Sequence, residues 1–232
     1  MYSPPLSVIA RINSDLKTKF GVPRQSGLVN ALSTTIVFEP EYRNPDMIRG
    51  LETFSHIWLL WQFSETLNHK WSPTVRPPRL GGNKRMGVFS TRSPFRPNPI
   101  GLSSVRLEQI ELHTPLGPIL HVAGADLMDG SPIYDIKPYL PYTDSHQDAI
   151  CHPAFQAEKP PLSVSFPEQL LRLIPLSHRD ALIAVLAQDP RPSYHFDADR
   201  VYGMNFLHFD IQFTVSGNHL TVCDVIMQNE NH

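Results

Sequence analysis

Apolar and polar positions alternate over short stretches along most of this chain, and that period of two predicts strands. Residues 6–12 read as a strand, residues 20–27 as an ordered loop, and residues 36–38 as a second short strand. HIWLLWQF at 56–63 is a near-continuous apolar run that fits a buried strand. Residues 86–90, 102–112 and 119–123 are further strand candidates, the last two joined by a turn at Leu112-His113-Thr114-Pro115-Leu116-Gly117. Asn44-Pro45 followed by Met47, Ile48 and Leu51 resembles a capped helix with proline at its first position. Short strands divided by Pro and Gly turns predict an antiparallel sheet or barrel. Helical stretches are too few for repeated strand–helix–strand units.

The pattern changes after about residue 145. Residues 148–161 are polar and contain proline, as a linker does. Residues 168–174 and 177–188 read as helices, the second capped by Ser177 with Asp180 in capping-box position and stopped by Asp189-Pro190-Arg191-Pro192. Phe209, Ile211, Phe213 and Val215 alternate, as do Leu220 and Val222, with Ile226 beyond, around Ser216-Gly217-Asn218-His219. That is a hairpin. The expected fold is mainly β, with an antiparallel β-barrel domain at 1–147 and a smaller α+β domain at 148–232.

Composition narrows this further. Proline is abundant, 23 of 232 residues, which disfavours a helical bundle. No apolar run approaches the ~18 residues of a membrane span, and the first residues lack the basic and apolar regions of a signal peptide. Cys151 and Cys223 form neither a CxxC pair nor a disulfide framework, so a soluble, reducing, cytoplasmic setting is expected. The net charge of −2 conceals segregation. Between Thr66 and Arg106 there is no acid, while Lys70, Arg76, Arg79, Lys84, Arg85, Arg92, Arg96 and Arg106 are present. Such a Pro- and Gly-rich basic stretch is either an anion-facing loop surface or a solvated face balanced by neighbouring acids.

Common chemistry is absent. There is no GxxxxGK[ST], no GxGxxG opening a helix, no HExxH and no GxSxG. Cys151-His152 sits in the presumed linker and reads as incidental, and no metal is expected. His56, within an apolar strand, reads as a satisfied core histidine.

Three dense segments remain: GVPRQSGL at 21–28; RPPRLGG at 76–82, continuing to TRSPFRPNPIGLS at 91–103; and DLMDGSPIYDIKPYLPY at 126–142. With FSHIWLL at 54–60, these resemble, in order, the motifs of the TsaA-like family, and AQDPRP and RVYGM extend the likeness beyond residue 145. The resemblance implies a small barrel that binds S-adenosyl-L-methionine in a non-Rossmann manner, within a homodimer. It implies N6-methylation of N6-threonylcarbamoyladenosine at position 37 in the anticodon loop of tRNAs reading threonine codons.

By that resemblance Arg24, Gln25, Ser26, Gly27 and Leu28 form a cofactor loop whose backbone holds adenine, although a plain turn would look the same. Arg92 would meet the carboxylate tail bidentately, or is one more solvated arginine. Leu102 would pack an apolar wall, or is core. Ala123, Gly124, Ala125 and Asp126 would supply backbone groups, with Asp126 on the ribose or capping a turn. Ser64 and Glu65 occupy cofactor positions, with residue types that differ from the His-Gln of the bacterial relative. Asp135 is expected as base or orienting group and Lys137 as contact to the threonyl carboxylate. The alternative for that pair is a structural salt bridge. Tyr139 or Tyr142 would stack on the modified base, or are core. The carbamoyl group acidifies the N6 proton, so a strong base is unnecessary. Arg76, Arg79, Lys84, Arg85 and Arg96 are candidates for tRNA phosphates. Two other readings fit the same motifs: a non-catalytic S-adenosylmethionine or nucleotide sensor, and an RNA-binding barrel that needs no cofactor.

Overall fold

Inward-facing apolar residues at every second position close six strands on themselves. The computed structural model describes residues 5–67, 69–81, 83–156, 160–191 and 197–228. The barrel strands are β1 (Ala10–Asn13), β2 (Ser33–Phe38), β3 (His56–Gln62), β6 (Ile100–Glu111), β7 (Ile119–Ala123) and β8 (Pro132–Pro138). A separate two-stranded ribbon joins β4 (Thr74–Val75) to β5 (Met86–Gly87). The barrel order is β1-β2-β7-β6-β3-β8, every neighbour is antiparallel, and β1 pairs with β8 to complete the ring. Closure removes the open edges that would otherwise template aggregation. Ile12, Ile36, Ile57, Leu59, Leu120, Val122 and Ile133 fill the interior. Gly101 of β6 lies against the Trp61 indole, where any Cβ would overlap the ring.

Beyond the short α1 (Pro141–Asp144) comes a second core. Its elements are β9 (Ser163–Ser165), α2 (Glu168–Leu171), α3 (Arg179–Ala187), β10 (Tyr202–Phe206), β11 (Phe209–Ser216) and β12 (His219–Met227). The sheet order is β10-β11-β12-β9, and β9 runs parallel to β12. The 209–226 hairpin forms, but a bulge at Gln212/Phe213 shifts the register so that Val225 rather than the expected Ile226 faces the core. Leu182, Val185 and Leu186 of α3 cover Phe206, Ile211 and Phe213. Leu16, Val29 and Leu32, from the loop between β1 and β2, are buried in this same core. Gly21 of that loop has φ +97° and lies against the Met204 side chain. The loop that leaves the barrel is thus part of the second core as well.

Several local expectations change. Asn44 does cap its turn, accepting the Asp46 N–H at 3.0 Å. The helix it starts breaks into two 3₁₀ turns, Pro45–Ile48 and Leu51–Thr53, because Gly50 adopts a left-handed φ of +90°. Ser177 does not cap α3; its hydroxyl lies 2.9 Å from His178 Nδ1, and α3 starts at Arg179 after a 3₁₀ turn set by Pro175. The helix expected at 168–174 is shortened to α2. Residues 86–90 pair only at Met86–Gly87 before a 3₁₀ turn, Val88–Ser90. β8 has proline at both ends, which hid it as a strand. His56 is exposed, its ring 3.0 Å from the Ser55 hydroxyl, because its place in β3 turns it out of the barrel. Pro192 of the expected helix stop lies outside the described residues.

Candidate functional site

The residues with the most constrained chemistry gather where β7 ends. After Ala123 the chain turns through Gly124 at φ +78°. A Cβ there would lie 3.1 Å from Asn30 Oδ1 and 3.2 Å from Gly27 Cα, so only glycine combines that φ with that closeness. The Gly27 N–H donates to the Gly124 carbonyl at 2.8 Å, and the Gly124 N–H to the Leu32 carbonyl at 3.1 Å. These bonds fasten the 24–28 loop to 123–126.

Asp126 sits at the centre of this seam. The Ser103 hydroxyl donates to its Oδ1 at 2.5 Å, and the Trp61 indole N–H donates to Ser103 at 2.9 Å. Burial pushes the Asp126 carboxyl above its ordinary value of 3.8, against the Ser103 bond, its own backbone N–H, the Arg92 charge and the Ser26 N–H. Arg92 donates to Gln25 Oε1, and Gln25 donates to the Arg24 carbonyl. Gln25, Ser26, Gly27, Arg92, Gly124 and Asp126 therefore form one connected group of cation, carboxylate and turn backbone. Such a set can hold a zwitterionic tail and hydroxyls together.

Other expected cofactor residues lie around it. Ser64 and Glu65 form a 3₁₀ turn after β3. The Phe63 N–H bonds the Pro99 carbonyl at 2.9 Å and the Thr66 hydroxyl reaches the Pro94 carbonyl at 3.4 Å, which ties that turn to the loop bearing Arg92. Leu28 packs against the second core. Arg24 and Leu28 line a cleft of about 360 Å³ with Arg79, Leu162, Asp189 and Arg191. Leu102 is on the opposite side of β6 from Ser103. It is 57 % exposed on the barrel wall, opposite Leu60.

Asp135 and Lys137 share the outer face of β8 and form an ion pair at 2.8 Å. Tyr139 tilts against Trp58 with ring centroids 5.5 Å apart. Tyr142 stands 86 % exposed on α1. Asp144 anchors this segment by accepting from Trp58 Nε1 at 2.8 Å and the Leu140 N–H at 2.9 Å, bonds that hold its carboxyl below the ordinary 3.8. Among the described residues, no hydrogen bond or ion pair links these β8 groups to Asp126 within one chain.

The basic candidates divide. Arg76, Lys84 and Arg85 cluster at the β4–β5 ribbon, where Arg85 donates to Thr74 Oγ1 at 2.7 Å and to its carbonyl at 3.1 Å. Arg96 donates to the Thr91 carbonyl at 3.2 Å. Arg79 belongs to the cleft above. Among the described residues no group of three or more His, Cys, Asp or Glu is arranged to hold a metal, and no helix is long and apolar enough to cross a membrane.

Ser103 and Trp61 were not singled out as site residues. Their signal was the insertion of Gly101 and Ser103 at core-facing positions of an apolar strand, where small residues leave room for a large partner.

Comparison with known proteins bears on this arrangement. Residues 11–145 match the family model described as the tRNA-methyltransferase O N-terminal domain, and residues 159–228 match that of the TrmO C-terminal domain. The chain is 44 % identical over 216 residues to the tRNA (adenine(37)-N6)-methyltransferase of Escherichia coli, covering 90 % of this chain and 92 % of that one. It is 42 % identical over 135 residues to a Methanothermobacter thermautotrophicus protein named "Probable S-adenosyl-L-methionine-binding protein", covering 58 % of this chain and 88 % of the relative. A crystal structure of TrmO from Pseudomonas aeruginosa superposes with a TM-score of 0.77 at 32 % identity, covering 97 % of this chain and 99 % of that one.

Proposed function

The chain belongs to the tRNA-methyltransferase O family, and from that premise we propose that it methylates N6 of adenosine 37 in tRNA, using S-adenosyl-L-methionine. The observation that carries this reading is the connected group of Gln25, Arg92, Ser103 and Asp126, fastened to the 24–28 loop, in a chain matched along both family domains.

The donor set fits the cofactor chemically. Arg92 supplies a guanidinium for the amino-acid carboxylate. Asp126 supplies acceptor oxygens for ribose hydroxyls. Backbone groups at 24–28 and 123–125 supply the donors and acceptors that an adenine edge needs. S-adenosyl-L-methionine, when bound, contributes an electrophilic methyl group on a sulfonium centre. The protein's part is to hold the acceptor nitrogen in line with it, and positioning of this kind accounts for several kcal/mol of barrier reduction.

The acceptor we assign is N6-threonylcarbamoyladenosine. Its carbamoyl group acidifies the N6 proton, which suits a site where the β8 carboxylate, Asp135, is already paired with Lys137. Lys137 meets the threonyl carboxylate, Asp135 orients Lys137, and the exposed Tyr142 ring stacks on the base. Tyr139, held by Trp58, backs that surface. Arg76, Arg79, Lys84, Arg85 and Arg96 contact phosphates.

The working unit in this proposal is a homodimer. Ile100 and Leu102 are exposed on the β6 wall beside Leu60 and the Asp135–Lys137 pair. A second copy laid on that wall would cover Leu102 and the neighbouring β8 groups. We further assign residues 1–147 as the catalytic domain, residues 148–232 as a second domain, and the cytoplasm as the site of action.

The test is methyl transfer from labelled S-adenosyl-L-methionine to total tRNA from a strain lacking this gene, with product nucleosides identified by mass spectrometry. The expected result is label on N6-methyl-N6-threonylcarbamoyladenosine and none with tRNA lacking threonylcarbamoyl. Cofactor binding without transfer would replace the enzyme by a sensor. No cofactor binding would leave an RNA-binding barrel.

A further inference from the structure

Phe89 is 78 % exposed, although Val88 beside it is buried to 3 %. The ring is displayed by a rigid turn rather than a loose one. The 3₁₀ turn Val88–Ser90 is closed by the Thr91 N–H on the Val88 carbonyl at 3.2 Å and by the Thr91 hydroxyl on the same oxygen at 2.9 Å. The Val88 N–H also bonds the Pro73 carbonyl at 3.0 Å, extending the β4–β5 ribbon. The Arg96 guanidinium lies 6.0 Å from the Phe89 centroid, and Arg96 is itself held by the Thr91 carbonyl. Nearby in the chain, Trp71 is 55 % exposed, and Phe95, 43 % exposed, meets His69 edge-on at 5.5 Å.

These rings occupy the stretch between Thr66 and Arg106 that has no acid. Its charge complements a polyanion, and its rings call for flat apolar faces. Unpaired RNA bases offer both, whereas a duplex keeps its base faces stacked inside. Position within the loop adds a distance. Phe89 precedes Arg92 by three residues, and three residues span at most ~11 Å. Phe89 is thus displayed within ~11 Å of backbone from the arginine of the Arg92–Gln25–Asp126 group.

We propose that Phe89, flanked by Arg96, is the stacking platform for an unpaired anticodon-loop base adjacent to the methylated adenosine. The proposal rests on the methyltransferase reading above and adds to it the residue that seats the loop. Phosphate contacts by the ribbon arginines supply affinity for any RNA, while the Phe89 ring selects single-stranded loop over stem.

The test uses the full chain and a synthetic anticodon stem-loop RNA with 2-aminopurine beside position 37, with a duplex RNA as control. Phe89→Ala is expected to weaken stem-loop binding on the order of tenfold, with duplex binding, S-adenosyl-L-methionine affinity and Tm unchanged. The salt dependence of stem-loop binding stays as in wild type, since no phosphate contact is lost. Phe89→Trp restores binding and the fluorescence change, and Phe89→Leu does not. Wild-type binding by Phe89→Ala, full rescue by Phe89→Leu, or a change of oligomeric state in Phe89→Ala would each overturn the proposal. A wild-type protein that binds the stem-loop through Phe89 but methylates no tRNA refutes the enzymatic reading alone. Methyl transfer with a silent Phe89→Ala refutes this inference alone.

Discussion

Arg92→Ala isolates the cation of the proposed cofactor site. Arg92 is exposed, its hydrogen bond goes to Gln25, and its charge is one of the influences holding Asp126 ionised. An exposed pairing of this kind contributes only about 0–1 kcal/mol to folding, so Tm should move by a few degrees at most. Binding is different. A guanidinium on a carboxylate ligand is a charge-assisted bond of about 1.5–3 kcal/mol. Solvent at Arg92 places the loss at the low end, close to 1.5 kcal/mol, or about a tenfold rise in Kd. Removing the charge also takes away a force opposing Asp126 protonation, so the acid limb of cofactor binding moves to higher pH. Calorimetric titration of S-adenosyl-L-methionine across a pH series reads both effects at once. An unchanged Kd with an unchanged acid limb would refute the assignment of Arg92, and a large fall in Tm would show that its role is structural.

Asp126→Asn tests the other half of the site. The buried carboxyl has a raised folded-state pKa, so its contribution to stability is largest below 3.8 and is lost as pH rises through the folded value. The variant should therefore be at least as stable as wild type near neutrality, while cofactor affinity falls and its acid limb disappears in calorimetry. Gly21→Ala forces a left-handed residue against Met204, costing about 1–2 kcal/mol from the backbone alone; thermal melts should show the loss, with weaker cofactor binding because the 24–28 loop shifts. Phe213→Ala empties a fully buried site in the second core and should cost about 3–5 kcal/mol in chemical denaturation. Asp144 has a lowered pKa, so its stabilising bonds are present above 3.8 and are lost as pH falls through the folded value; Asp144→Asn should flatten that acid dependence and loosen Tyr142, read by tyrosine anisotropy.

Much of the site's membership was legible because it lies in contiguous motifs. The 24–28 loop, Arg92 and 123–126 were singled out through the resemblance that their motifs carry, and the structure joins Gln25 to Arg92, Gly27 to Gly124 and Ser26 to Asp126 by hydrogen bonds, with the Arg92 charge acting on Asp126. Asp135 and Lys137 were legible as a possible salt bridge from their opposite charges two residues apart, and they form an ion pair because both lie on one face of β8, a strand that its terminal prolines had hidden. Leu102 was ambiguous between cofactor wall and core, since an isolated strand does not say which of its faces is inside. His56 was misread for the same reason: an almost wholly apolar run has no polar face to mark the outside. The helices at 44–51 and 177–188 were overextended because capping residue types do not reveal Gly50's left-handed turn or the turn that Pro175 sets.

The sequence by itself determined the local periods: alternation in β6, β7 and the β11–β12 hairpin, turns at Pro and Gly, and an acid-free basic stretch. Those follow from short-range sterics and the two-residue repeat of a strand. Only the tertiary structure decided that Trp61, Ser103 and Asp126 form one hydrogen-bonded chain, and that Leu16, Val29 and Leu32 complete a core built from residues after 160. Such contacts depend on which strands become neighbours when the barrel closes. Burial then takes water away from Asp126 and assigns its proton affinity, so the electrostatics of the site belong to the folded chain.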